Sequence, residues 1–288
     1  MPNTTQGPSM RSTVNHLLQL QEIILVRDEQ RAIRGNAADL TAINESIDTL
    51  TESLDPQTKM LFQRLYRKDH IVTAPVSDSS CSMCKMGVAI SQVQAVKLCR
   101  ALVCCPSCAR ILYVSDGPKW IAGRRARAGE PPKTGIARFS SPDLMLPDLS
   151  GTTPEEVIAE FAGALNNAGF IDDPAGLARQ AVSRESILGT GVGNGLAFPH
   201  VRGVEGGGLS LAFGISRKGV KFDGAEDGPA HFIFFSTIPS AVSAFYLRLL
   251  AALTESFTKD ANRSAALESA APKDLWKNLV KATRSSVK

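Results

Sequence analysis

The stretch from Arg184 to Arg202, RESILGTGVGNGLAFPHVR, decides how the second half of this chain is read. Glycine occupies every second position through Gly189, Gly191, Gly193 and Gly195. A backbone without Cβ atoms can approach a ligand closely and turn N–H groups toward an anion. In the same stretch His200 stands near Arg184, Arg202 and the hydroxyl of Thr190. Arginine offers a planar fork of donors to phosphate oxygens, and Thr190 adds a third donor, so the expected chemistry is phosphate handling at His200. A dinucleotide fold is not expected, because the GxGxxG spacing is not met and no strand feeds directly into these glycines. An ordinary core histidine would account for neither the glycines nor the arginines.

The flanking signals are those of an α/β domain. Thr153-Pro-Glu-Glu156 forms a capping box with proline at the first helical position, feeding Val157, Ile158, Phe161, Ala162 and Leu165 on one face. Gly169 ends that helix, and Asp173-Pro174 opens another that reaches about Glu185. Leu209, Leu211, Phe213 and Ile215 alternate as in a strand, and Phe232–Phe235 read as a buried one. Two further helices fit Ala241–Phe257 and Asp274–Thr283.

The stretch around His200 resembles the signature of the fructose/mannitol-type enzyme IIA domain of the bacterial phosphotransferase system, including its nitrogen-regulatory branch. The resemblance covers roughly 138–285. It includes Ser141-Pro-Asp143, Ala168-Gly-Phe-Ile-Asp-Asp173, the Arg184-Glu185 pair, the Pro-His-x-Arg element at His200 and Phe235–Pro239. It implies a mixed β-sheet flanked by helices, His200 as the phosphorylated residue, and Arg184 and Arg202 as phosphate clamps. It implies no metal or other cofactor for phosphotransfer. Many members carry a second histidine near the first, and the matching position here is Tyr246. Tyrosine can donate a hydrogen bond to phosphate but cannot carry positive charge, so slower transfer or a regulatory role is expected. His231 reads as a strand residue, and His16 and His70 as solvated ones.

The first half has a different character. Residues 1–11 read as a disordered tail. Val14, Leu17, Leu18, Leu20, Ile24 and Leu25 recur at helical spacing up to a Gly35-Asn36 break. Leu40, Ile43, Ile47, Leu50 and Leu54 form a narrow seam, and Asp55-Pro56 starts a third helix that runs to about Lys68. The expected unit over 12–70 is a short antiparallel helical hairpin, equally compatible with a plain helical core and with a partner helix.

Cys81-Ser-Met-Cys84 and Cys105-Pro-Ser-Cys108 follow, two CxxC pairs 20 residues apart. Two such knuckles supply the four thiolates of a tetrahedral zinc site, and four protein ligands make that site structural. The segment 71–115 resembles the C4 zinc-ribbon proteins that follow a long helical hairpin, through Tyr66, the Ile71-Val72 strand and CPSCARILY ending at Tyr113. One departure is Ala109, where that family places glycine after the last cysteine, so a strained second knuckle is expected. Cys104 is an alternative ligand to Cys105, and Cys99 a core residue. Residues 116–137 read as an exposed basic Gly/Pro linker with no apolar period.

The fold class expected is therefore α+β multidomain: helical hairpin, zinc ribbon, linker, and an enzyme IIA-like phosphohistidine domain over 138–288. A net charge of +4 on 288 residues, with Trp120 the one aromatic in the linker, does not suggest nucleic acid as a partner. Neither a secretory leader nor an apolar span of about 20 residues is visible, so a cytoplasmic protein is expected. Two functions are consistent with this. In one, His200 accepts phosphate from the histidine-containing phosphocarrier protein and passes it to a cysteine of an enzyme IIB partner, or a regulated target responds to its phosphorylation. In the other, hairpin and ribbon form a binding scaffold and the IIA domain is a silent sensor.

Overall fold

The computed structural model describes residues 9–35, 38–114, 133–204, 208–225 and 228–287. The chain divides into two compact units, Met1–Asp116 and Gly117–Lys288. The proposed tail up to residue 8, Asn36 and linker residues 116–132 lie outside the described residues.

In the first unit, helix α1 spans Met10–Arg34, capped by the Ser9 hydroxyl and closed by Gly35 at φ 55°. Helices α2 (Thr41–Glu52) and α3 (Pro56–Tyr66) follow. Asp55 caps α3 by accepting from the amides of Gln57 and Thr58, with Pro56 at the first position, as its sequence predicts. Leu17, Leu20, Ile24, Ile47, Leu54, Phe62 and Leu65 form the shared core.

The ribbon is a three-stranded sheet of β1 (Thr73–Ser77), β2 (Ser80–Cys81) and β3 (Ile111–Val114), ordered β2-β1-β3. Strand periodicity joins the two cores of this unit, since Ile111 packs among the helices while its neighbour Leu112 faces the ribbon core. A helix that the apolar pattern did not predict, α4 (Ile90–Lys97), buries Val93 and Val96 beside the cysteines.

Two expectations need correction here. The strand begins at Thr73 rather than Ile71, because the Gln21 side chain holds this stretch: its Oε1 accepts from the Val72 amide (2.6 Å) and its Nε2 donates to the His70 carbonyl (2.8 Å). His70 is also not merely solvated. Its Nδ1 lies 2.7 Å from Asp28 Oδ2, its ring stacks on Tyr66, and the Arg27 guanidinium bonds both Asp28 and the Tyr66 hydroxyl.

The second unit is built on a six-stranded mixed sheet. Its path is β4 (Met145–Leu146), β8 (Ser210–Val220), β9 (Ala230–Ile238), β6 (Leu196–Ala197) and β5 (Gly191–Gly193), and β7 (His200–Arg202) also pairs with β9. Strands β8 and β9 are antiparallel, whereas β6 and β7 run parallel to β9. Helices α5 (Pro154–Asn167), α6 (Pro174–Glu185), α7 (Ser243–Phe257), α8 (Asp260–Leu267) and α9 (Pro272–Thr283) complete it.

Alternation along β9 explains why both faces carry helices. Phe234 stacks on Phe213 at 4.3 Å and meets Phe257 of α7, while Phe235 on the opposite face stacks on Phe161 of α5. Gly214 makes room for this packing, because a Cβ there would lie 2.8 Å from the Phe161 ring.

The end of the predicted linker is only partly exposed: Lys133 and Thr134 are exposed and Ile136 is buried. Gly135–Arg138 forms a 3₁₀ turn with Ile136 buried, and this turn and α9 line one cavity of about 630 Å³. A single apolar residue without a period was enough to dock it.

Candidate functional site

His200 opens β7, in register with Ser236 of β9, and is only 2% exposed. Its Nδ1–H donates to the Phe198 carbonyl at 3.1 Å, which leaves the lone pair on Nε2. Tyr246 projects from the first turn of α7, and its ring centroid lies 5.4 Å from that of His200. The Arg202 guanidinium sits over the Tyr246 ring at 5.6 Å. Both rings are buried, so the group is sheltered from bulk water.

Arg184 and Glu185 end α6. Arg184 is buried and donates through Nη1 to the Leu188 carbonyl at 2.9 Å. Glu185 Oε1 accepts from the Thr190 amide at 2.8 Å. Burial pushes the Glu185 carboxyl above its ordinary value, opposed by the Thr190 hydrogen bonds and by the charges of Arg184 and His200. The Thr190 side chain is buried beside the same carboxyl.

The structure thus brings His200, Arg202 and Tyr246 together and sets Arg184 and Thr190 on the adjoining turn. The glycines also have packing roles that the sequence did not show. A Cβ at Gly189 would lie 2.1 Å from the Asp223 carbonyl oxygen, and the Gly191 amide is already committed to that carbonyl at 2.9 Å. Gly193, Asn194 and Gly195 all have positive φ and make the turn between β5 and β6. These residues pack a strand and close a hairpin.

Sequence reasoning quoted Glu185 within its motif but gave it no role at the site. The available signal was an acid beside a candidate clamp, one turn before the glycines.

The four cysteines form a second candidate site. The Sγ atoms of Cys81, Cys84, Cys105 and Cys108 all lie within 4.8 Å of one another, with Cys81–Cys108 at 3.7 Å and Cys84–Cys105 at 3.6 Å. A tetrahedral zinc ion with bonds of about 2.3 Å needs sulfurs about 3.8 Å apart, so the donor set fits. Cys104 is excluded from this set and packs against the helical core instead. Lys85 and Ala109, each following the second cysteine of its knuckle, have φ of 62° and 65°. The strain expected at Ala109 is therefore present.

Residues 138–282 match the family described as "Phosphoenolpyruvate-dependent sugar phosphotransferase system, EIIA 2". The chain belongs to this family. Among enzyme IIA relatives, the fructose-specific EIIA component of Haloferax volcanii is 31% identical over 134 residues, covering 42% of this chain and 87% of that protein. The fructose-specific EIIABC component of Bacillus subtilis is 30% identical over 121 residues, covering 42% of this chain but 19% of its own length. The nitrogen regulatory protein IIA-Ntr of Neisseria meningitidis is a structural neighbour with a TM-score of 0.44 and 22% identity, covering 49% of this chain and 97% of its own. Among the described residues, no helix is long and apolar enough to cross a membrane.

Proposed function

We propose that this protein is a phosphocarrier or regulator in which His200 Nε2 accepts a phosphoryl group from a phosphohistidine carrier protein. The observation that carries this reading is the Nδ1–H bond to the Phe198 carbonyl, which puts the nucleophilic lone pair on Nε2. The N–P bond of the donor breaks as the Nε2–P bond forms, and each imidazole keeps the proton on its other nitrogen. Arg184, Arg202, the Thr190 hydroxyl and the Tyr246 phenol are the groups that would offset the spread negative charge, so no metal is needed for the step.

An enzyme IIB cysteine is the onward acceptor in the relay version, and a target protein responds in the regulatory version. Family membership favours phosphotransfer over a silent domain. Tyr246 in place of a second histidine favours the regulatory version, and a cytoplasmic setting suits either. Cys81, Cys84, Cys105 and Cys108 would hold a structural zinc ion that ties the two knuckles together. The modular reading is hairpin 12–70, ribbon 71–115, linker 116–137 and IIA domain 138–288, the last moved back to about Lys133 by the buried Ile136.

The test is incubation with phosphoenolpyruvate and the general phosphotransferase proteins, followed by mass spectrometry. Acid-labile phosphate on His200, absent from His200→Ala, is expected. Undiminished labelling of His200→Ala would sink the assignment.

A further inference from the structure

Three hydrogen bonds link Glu185 to the His200 ring by way of the backbone at Thr190 and Phe198. Glu185 Oε1 accepts from the Thr190 amide at 2.8 Å. The Thr190 carbonyl accepts from the Phe198 amide at 3.1 Å. The Phe198 carbonyl accepts from His200 Nδ1–H at 3.1 Å. Thr190 and Phe198 bracket the β5–β6 hairpin, so their mutual bond closes the base of that hairpin. The acid at the end of α6 thereby anchors the hairpin base from which the Phe198 carbonyl extends.

From this path we propose that Glu185 is a positioning residue for phosphotransfer: it anchors the hairpin base and so holds His200 in the tautomer with Nε2 unprotonated. The inference rests on His200 being the phosphoryl acceptor.

The physical argument has three parts. A neutral imidazole in water divides its proton between both nitrogens, so a single well-placed acceptor decides the tautomer. The Phe198 carbonyl is two residues from the ring it orients, and it can serve only if the Phe198 peptide keeps its orientation. The bond from the Phe198 amide to the Thr190 carbonyl fixes the Ala197–Phe198 peptide from which the Phe198 carbonyl's own peptide extends, and Glu185 anchors the Gly189–Thr190 peptide on the facing side of the hairpin base.

The second Glu185 oxygen is buried and has no hydrogen-bond partner among the described residues, while burial raises the affinity of the carboxyl for a proton. Either protonation state leaves Oε1 free to accept from Thr190. The role therefore depends on an acceptor oxygen at this place and not on a negative charge.

The test uses the full-length protein and two readouts. Long-range ¹H–¹⁵N spectra of the imidazole, assigned with His200→Ala, report which ring nitrogen carries the proton. Phosphorylation kinetics with the general phosphotransferase proteins report transfer. In Glu185→Ala, His200 should become a mixture of tautomers and phosphorylation should slow tenfold or more. Glu185→Gln keeps an acceptor oxygen and should recover most of both losses.

The proposal is overturned if Glu185→Ala retains the wild-type tautomer, or if Glu185→Gln is as impaired as Glu185→Ala. Should Glu185→Ala fail to fold, Glu185→Asp, with its carboxylate drawn back by one methylene, must show the mixed tautomer for the proposal to stand. Because the tautomer is read without phosphate, a wild-type protein that accepts no phosphate would refute the function while leaving this result interpretable.

Discussion

A histidine that takes up phosphate must present one nitrogen with a lone pair and hold the other as a donor, and His200 is tied in that way by Phe198. The groups around it have separable roles. Replacing Arg184 or Arg202 with alanine should slow phosphorylation ~10²–10³-fold, the usual cost of removing one preorganised donor. Arg202→Lys should also be slow, since a point charge cannot reproduce the guanidinium fork or its seat over Tyr246. Wild-type transfer rates in both alanine variants would remove the clamp assignment. Glu185 adds a pH signature. Its carboxyl binds a proton more tightly in the folded state than at its ordinary value of 4.5, so this group's contribution to stability is full below that pH. It declines as pH rises through the window between the unfolded and the raised folded value. Urea melts across that window should show a shallower decline for Glu185→Gln than for wild type. Identical slopes would show that the carboxyl is not held protonated by burial.

The elements follow local rules except where two of them meet. Capping signals placed the starts of α3, α5 and α6 correctly, because a cap is a contact between neighbours in sequence. Helices α4 and α8 escaped notice, since each has eight residues and too few turns to show a periodic stripe. The packing role of the alternate glycines was hidden for a related reason: it lies in the Asp223 segment that packs on Gly189. Gly189→Ala should cost at least 1–3 kcal/mol, as overpacking against backbone does, and a chemical denaturation midpoint equal to wild type would contradict the close approach. In the ribbon, Ala109 adopts φ 65°. Ala109→Gly should relieve ~1–2 kcal/mol of left-handed strain and raise zinc affinity in a chelator competition. No gain in affinity would mean that the knuckle does not bear this strain when metal is bound.

At the scale of the whole molecule, the two compact units hold separate candidate sites. A strong chelator should therefore unfold the ribbon, which has a small core of its own, and leave the IIA domain folded. Circular dichroism with and without chelator, on the full chain and on residues 133–288, checks this. The fragment should still accept phosphate at His200. It starts at Lys133 because Ile136 is buried in the described structure, and a cut at Ser140 should lower stability measurably. A folded 133–288 fragment that cannot be phosphorylated would mean that the first unit takes part in the transfer site.

Sequence by itself determined what depends on residue type and short spacing. Two CxxC pairs announced a four-thiolate site, and the stretch around His200 pointed to an enzyme IIA domain through its resemblance to that family's signature, since ligand chemistry is written in side-chain identity. Tertiary structure decided what depends on residues far apart. Cys105 rather than Cys104 joins the cluster because Cys104 bridges Ile111 and packs with it against the helical core. Tyr246 reaches His200 because α7 packs on the sheet that carries β7. Glu185 gains its meaning only through Thr190 and Phe198, a path that closes in space when a hairpin folds and that no local pattern records.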